Sequence, residues 1–120
     1  MEYTITIRLC SEDLELLKSI KCNFYQTAEL YIKGQPLREN SKTMIRQNLL
    51  ILYKSKVDYI DELSLINLLD SLNFKSSNLK KELIISNVTD YDQYGFELSN
   101  NFLTILAEKG FSLQISGIFL

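Results

Sequence analysis

Histidine is the usual side chain for moving a proton near neutral pH, and this chain contains none. Its absence removes the Ser–His and Cys–His nucleophile systems and the commonest metal ligand. The two cysteines, Cys10 and Cys22, are too few for a zinc site of the usual Cys/His type. Cys10 ends a strand-like run just before a helix start, where a helix dipole lowers a thiol's pKa. A small residue closing a strand is the plainer reading of Cys10 and the one preferred. The glycines Gly34, Gly95, Gly110 and Gly117 are scattered and form no phosphate-cradling loop. Carboxylates are what remain. Asp58, Asp61 and Glu62 gather near one helix start, and Asp90, Asp92 and Glu97 flank one loop. Either set has the chemistry to hold a hard cation or to act as an acid–base pair. Acids at a helix start, however, complement its dipole, and acids in a loop are ordinarily solvated. The expectation is therefore no catalytic residue, no metal and no cofactor.

Recognition is the alternative to catalysis. Tyr91 and Tyr94 share a loop with Asp90 and Asp92. Tyrosine offers a large contact area at little entropic cost, so rings beside acids suit a protein-binding surface. The same rings can fold back on the core. The expected partner-binding set is Asp58, Tyr59, Asp61, Glu62, Asp90, Tyr91, Asp92 and Tyr94. Tyr25, Tyr31, Tyr53 and Tyr59 also fit core or sheet-surface positions.

The elements that position these residues are legible from periodicity. The chain has 120 residues, 46% of them hydrophobic, with a single proline, which suits one domain over 1–120 with its own core. Tyr3, Ile5, Ile7 and Leu9 alternate with Thr4, Thr6 and Arg8, the period of a half-buried strand. Ser11 reads as the cap of a helix carrying Leu14, Leu16, Leu17 and Ile20. Residues 28–33 read as a second strand, stopped by the Gly34-Gln35-Pro36 turn. Residues 43–53 read as a third, whose apolar run 49–52 suits cover on both faces. A short polar connection predicts that these two pair antiparallel. Asp58 reads as the cap of a second helix with a wide apolar stripe of Ile60, Leu63, Leu65, Ile66, Leu68, Leu69 and Leu72, of which Leu65, Leu68, Leu69 and Leu72 keep the helical spacing. Residues 76–81 suggest a short helical turn, and 83–88 a fourth strand. Ser99 caps a third helix closed by Lys109-Gly110, and Phe111, Leu113 and Ile115 alternate with polar residues in a last strand. The expected fold class is α+β: a single mixed or antiparallel sheet with helices packed on it, in the order β-α-β-β-α-β-α-β.

Charge and composition narrow the partner. Thirteen basic residues against fifteen acidic give a net charge of −2, and the lysines form short pairs, with no basic stripe for a phosphate backbone. Nucleic acid is not the expected partner. The first residues have no signal-peptide pattern, and no run approaches the roughly 18 apolar residues that span a bilayer. A cytoplasmic protein with two reduced thiols and no membrane association is expected.

Gly95-Phe96-Glu97-Leu98-Ser99, followed by Leu103, Leu106, Ala107, Gly110, Ser112, Leu113 and Ile115, resembles the C-terminal pattern of the DUF4279 family of small bacterial proteins. The Lys33-Gly34-Gln35-Pro36 turn and the order of elements are similar too. The family's tryptophan after the Lys-Gly turn is replaced here by Leu50 or Leu52. The resemblance implies no catalytic residues. It implies an immunity protein, encoded beside a polymorphic or contact-dependent toxin and binding that toxin's C-terminal domain. Two other classes stay open. The apolar end Gly117-Ile118-Phe119-Leu120 would let the last strand pair at an exposed edge, making a self-associating module that is monomeric or weakly dimeric. A carboxylate-dependent enzyme would need a pocket lined by several acids.

Overall fold

The computed structural model describes residues 2–24, 27–39, 42–72, 78–89 and 97–119. Five strands form one mixed sheet. They are β1 (Glu2–Cys10), β2 (Glu29–Tyr31), β3 (Leu49–Val57), β4 (Lys80–Thr89) and β5 (Phe111–Phe119). Three helices, α1 (Leu14–Phe24), α2 (Glu62–Asp70) and α3 (Asn100–Glu108), complete the expected α+β order. The sheet runs β2-β3-β1-β4-β5. Its neighbours are antiparallel except β4 and β5, which are parallel and joined through α3. A parallel pair needs a crossover long enough to return the chain, and the third helix supplies it.

The alternation in β1 decides which face is covered. Tyr3, Ile5, Ile7 and Leu9 are all buried, and with Leu83 and Ile85 of β4 they form the surface on which the helices sit. Leu65, Leu69 and Leu72 of the second helical segment, with Phe102 and Leu106 of α3, close one cluster. Leu17 and Ile20 of α1 close a second over Leu9 and Leu50. The opposite face carries Thr4, Thr6, Arg8, Lys54, Lys56 and Gln114 by strand alternation, and no helix among the described residues covers it.

That arrangement corrects the reading of 49–52 as a strand covered on both faces. Leu50 is fully buried, whereas Leu49 and Ile51 are only partly so. The hydrophobic run has another cause. Ile7 pairs with Tyr53 and Arg8 with Ile51, so Leu52 is the extra residue of a bulge. The bulge turns Leu52 to the helix side, where it packs against both clusters.

Several boundaries move for identifiable reasons. The expected strand at 43–53 begins only at Leu49, because Asn48 ties the preceding loop down through its side chain. The Asn48 amide donates to the Ser11 carbonyl at 3.1 Å and accepts the Lys33 N–H at 2.9 Å. The cap of α1 falls on Asp13, whose carboxylate accepts the Leu16 N–H at 3.2 Å. Ser11 is occupied instead with the Asn78 carbonyl, to which its hydroxyl donates at 2.7 Å. Lys80 and Lys81 open β4 and do not extend a helical turn. The end of α3 is as expected: Lys109 is the C-cap and Gly110 has φ 76°, a left-handed position that costs glycine nothing.

Candidate functional site

Three regions hold polar or exposed groups whose chemistry merits attention. The first is on the helix-free face, where antiparallel register sets Arg8 of β1 opposite Glu82 of β4. Glu82 is only 1% exposed although no helix among the described residues lies over it. Arg8 Nε and Nη2 donate to its two carboxylate oxygens, each at 3.1 Å. The Cys10 thiol donates to Oε1 at 2.7 Å, and Gln114 Nε2 donates to Oε2 at 2.9 Å. A carboxylate offers about four lone-pair sites, and all are taken. Lys80 Nζ adds a cation 3.9 Å away.

The electrostatics follow from that geometry. Burial works to raise the Glu82 pKa, but the hydrogen bonds of Arg8 and Cys10 and the charges of Arg8 and Lys80 outweigh it and hold the carboxyl below its ordinary range. Burial, then the hydrogen bond and charge of Glu82, push the Cys10 thiol up to about 12. Cys10 is thus a protonated donor, the opposite of an activated nucleophile. Glu82 is ionised and fully bonded, so it has neither a proton to give nor a free site to take one. The cluster is built to hold strands together.

Next to it lies an open cleft of about 800 Å³, bordered by Cys10, Ser11, Asp13, Lys80, Lys81 and Gly110. Several of its polar groups are likewise engaged. Asp13 caps α1. Lys81 donates to the Lys109 carbonyl, and its ammonium lies 5.2 Å from the centre of the Phe111 ring. Both free thiols match the reduced pair expected, Cys10 buried and Cys22 exposed. Among the described residues no group of acids, cysteines and histidines has the geometry to hold a metal.

The third region is the turn from β3 into α2, where half of the expected binding residues lie. Asp58 and Tyr59 are both exposed, Tyr59 by 69%, so this ring is not a core residue. Asp61 caps α2 in place of Asp58, accepting from the Ser64 N–H at 3.2 Å and the Ser64 hydroxyl at 2.8 Å. These bonds hold the Asp61 carboxyl below its ordinary pKa. Glu62 is turned inward along the surface. Its two oxygens accept the Ser99 N–H at 2.7 Å and the Ser99 hydroxyl at 2.6 Å. Glu62 thereby ties the first turn of α2 to the cap of α3, and its carboxylate is committed to that joint. Leu63, expected in the apolar stripe of the second helix, is instead 70% exposed, because the stripe that packs on the sheet runs through Leu65, Leu69 and Leu72. It sits four residues beyond Tyr59, and the acids Asp58 and Asp61 flank the two. Asp90, Tyr91, Asp92 and Tyr94 lie outside the described residues.

No helix among the described residues is long and apolar enough to cross a membrane. The chain matches no protein-family model, no curated protein and no solved structure.

Proposed function

We propose that this protein is a non-catalytic binding module, an immunity protein that neutralises a bacterial toxin domain by covering one of its surfaces, and that the Asp58–Leu63 corner is part of the covering surface. The observation that carries the reading is the exposure of two large side chains, Tyr59 and Leu63, at one turn bordered by acids. Interface cores are enriched in aromatic anchors with polar groups at the rim, and this corner has that composition. Asp58 and Asp61 add negative charge that would steer a basic partner into place, as the net charge of −2 does weakly for the whole chain. The absence of catalysis is supported by the state of the Arg8–Cys10–Glu82 cluster, whose ionisable groups are spent on one another. The partner class comes from the resemblance of the 95–115 segment to small bacterial proteins encoded beside toxins. A cytoplasmic location follows from the proposed role.

The test is co-purification with the C-terminal domain of the toxin encoded beside this chain. A stoichiometric complex that abolishes toxicity is expected, and the Tyr59→Ala/Leu63→Ala pair should weaken it by roughly tenfold or more. If the wild-type chain forms no complex, the immunity role is wrong. If the double variant binds as tightly as wild type, the corner is not the interface.

A further inference from the structure

The two edges of the sheet are protected very differently. The β2 edge is three residues long and carries Glu29, the short, charged form in which natural proteins blunt an edge. The β5 edge is nine residues long, Phe-Ser-Leu-Gln-Ile-Ser-Gly-Ile-Phe, with no charged residue and no proline. Its one described neighbour is β4, and its outer row of backbone groups has no strand beside it among the described residues. Ile115, the middle residue of this strand, is 55% exposed although it lies on the helix-bearing side, paired with Ile85. Leu103 of α3, the helix packed against β5, is 40% exposed on the same side of the molecule's sheet.

We infer that β5 is the interface of a homodimer in which two copies pair antiparallel about Ile115, joining their sheets into one of ten strands. A second copy is the occupant because the strand is complementary to itself. A two-fold axis through Ile115 sets Gln114 opposite Ser116 and brings Ile115 beside its own copy. The exposed isoleucine meets an equal, and the polar positions on either side of it meet polar positions. No like charges are brought together, because the strand has none. The axis stands normal to the sheet, so both copies keep their helices on one side. Such an interface is closed and isologous, and it removes the only long unprotected edge seen among the described residues. It lies on a different element from the Asp58–Leu63 corner and does not depend on it.

Sedimentation of the full chain at micromolar concentration should give twice the monomer mass. Ile115→Lys sets two like charges against each other on the axis and should yield a monomer with unchanged far-ultraviolet dichroism. Register is tested by cross-linking in a Cys22→Ser background, which leaves only the buried Cys10. Residues directly opposite in an antiparallel pair have Cα atoms about 4.5–5.5 Å apart, within the span of a disulfide. Ile115→Cys should therefore form a dimer on mild oxidation. Ser112→Cys, about 20 Å from its own copy in this register, should not. A monomer at every concentration, or cross-linking of Ser112→Cys as fast as Ile115→Cys, overturns the proposal. Should Ile115→Lys fail to fold, the two cysteine variants decide the matter alone.

Discussion

Replacing Glu82 by Gln changes one oxygen for one nitrogen, and the structure says it should be costly. Each carboxylate oxygen faces two donors: Oε1 meets Arg8 Nε and the Cys10 thiol, and Oε2 meets Arg8 Nη2 and Gln114 Nε2. Whichever way the new amide turns, its NH2 points at two donors. The Arg8 guanidinium also loses its counter-charge. Breaking a buried pair from one side typically costs about 3–5 kcal/mol. The Arg8 side chain is 23% exposed and can recover some hydration, so the lower end, about 3 kcal/mol, is expected. With a urea slope of about 1.5 kcal/mol per molar, that is a fall of about 2 M in the unfolding midpoint. Arg8→Met/Glu82→Met should recover most of the loss, because replacing both partners leaves no stranded charge. The pH dependence has a definite sign. Glu82's pKa is depressed in the folded state, so its contribution is complete above the ordinary carboxylate range and is lost as pH falls through the lower, folded value. The gap between wild type and Glu82→Gln should stay constant from neutral to mildly acid pH and narrow below the ordinary range. A Glu82→Gln protein within about 0.5 kcal/mol of wild type, the scale of an ordinary surface change, would refute the assignment of this cluster as a strand-joining element.

The two thiols should differ sharply in reactivity. Cys22 is exposed, whereas Cys10 is buried with its pKa pushed up to about 12. An aromatic disulfide reagent at neutral pH should titrate one thiol quickly in the native protein and both in denaturant; fast labelling of both in the folded state would contradict the Cys10–Glu82 contact. Ser99→Ala removes the α3 cap, whose hydroxyl oxygen accepts the Phe102 N–H at 3.1 Å, together with the hydroxyl bond to Glu62. Thermal unfolding should show a loss of about 1–2 kcal/mol, and the same loss should not appear in Asn100→Ala, one residue beyond the cap.

The Glu82 cluster shows how far each level of description reaches. The sequence told that Arg8 lies opposite in facing to Ile7 and Leu9, and that the first strand ends at Cys10, because period-two alternation fixes facing within a single strand. It could not tell that Glu82 is the partner. Arg8 and Glu82 are separated by two helices and two other strands in the chain, and their meeting depends on β4 lying beside β1 in one register. A shift by a single residue would set Arg8 against Lys81 or Leu83 and turn β4's side chains to the other face. The charge balance therefore concealed a buried carboxylate that composition alone assigns to the surface.

The Asp58–Leu63 corner divides in the same way. Acids near a helix start were legible as capping and dipole groups, and Asp61 has that role, since capping is local chemistry between residues three apart. The joint between Glu62 and Ser99 was not legible, because it needs two helices brought side by side. Exposure of Tyr59 and Leu63 likewise depends on where the other elements leave surface uncovered.

The order of elements, the α3 cap at Ser99 and the left-handed close at Gly110 were determined by the sequence itself. They rest on periodicity, caps and turns, interactions within a few residues. Strand order, the bulge at Leu52, the place of β5 at one end of the sheet and the ring of donors around Glu82 were decided only by the tertiary structure. Those features are set by pairing between segments far apart in the chain, which no local pattern encodes.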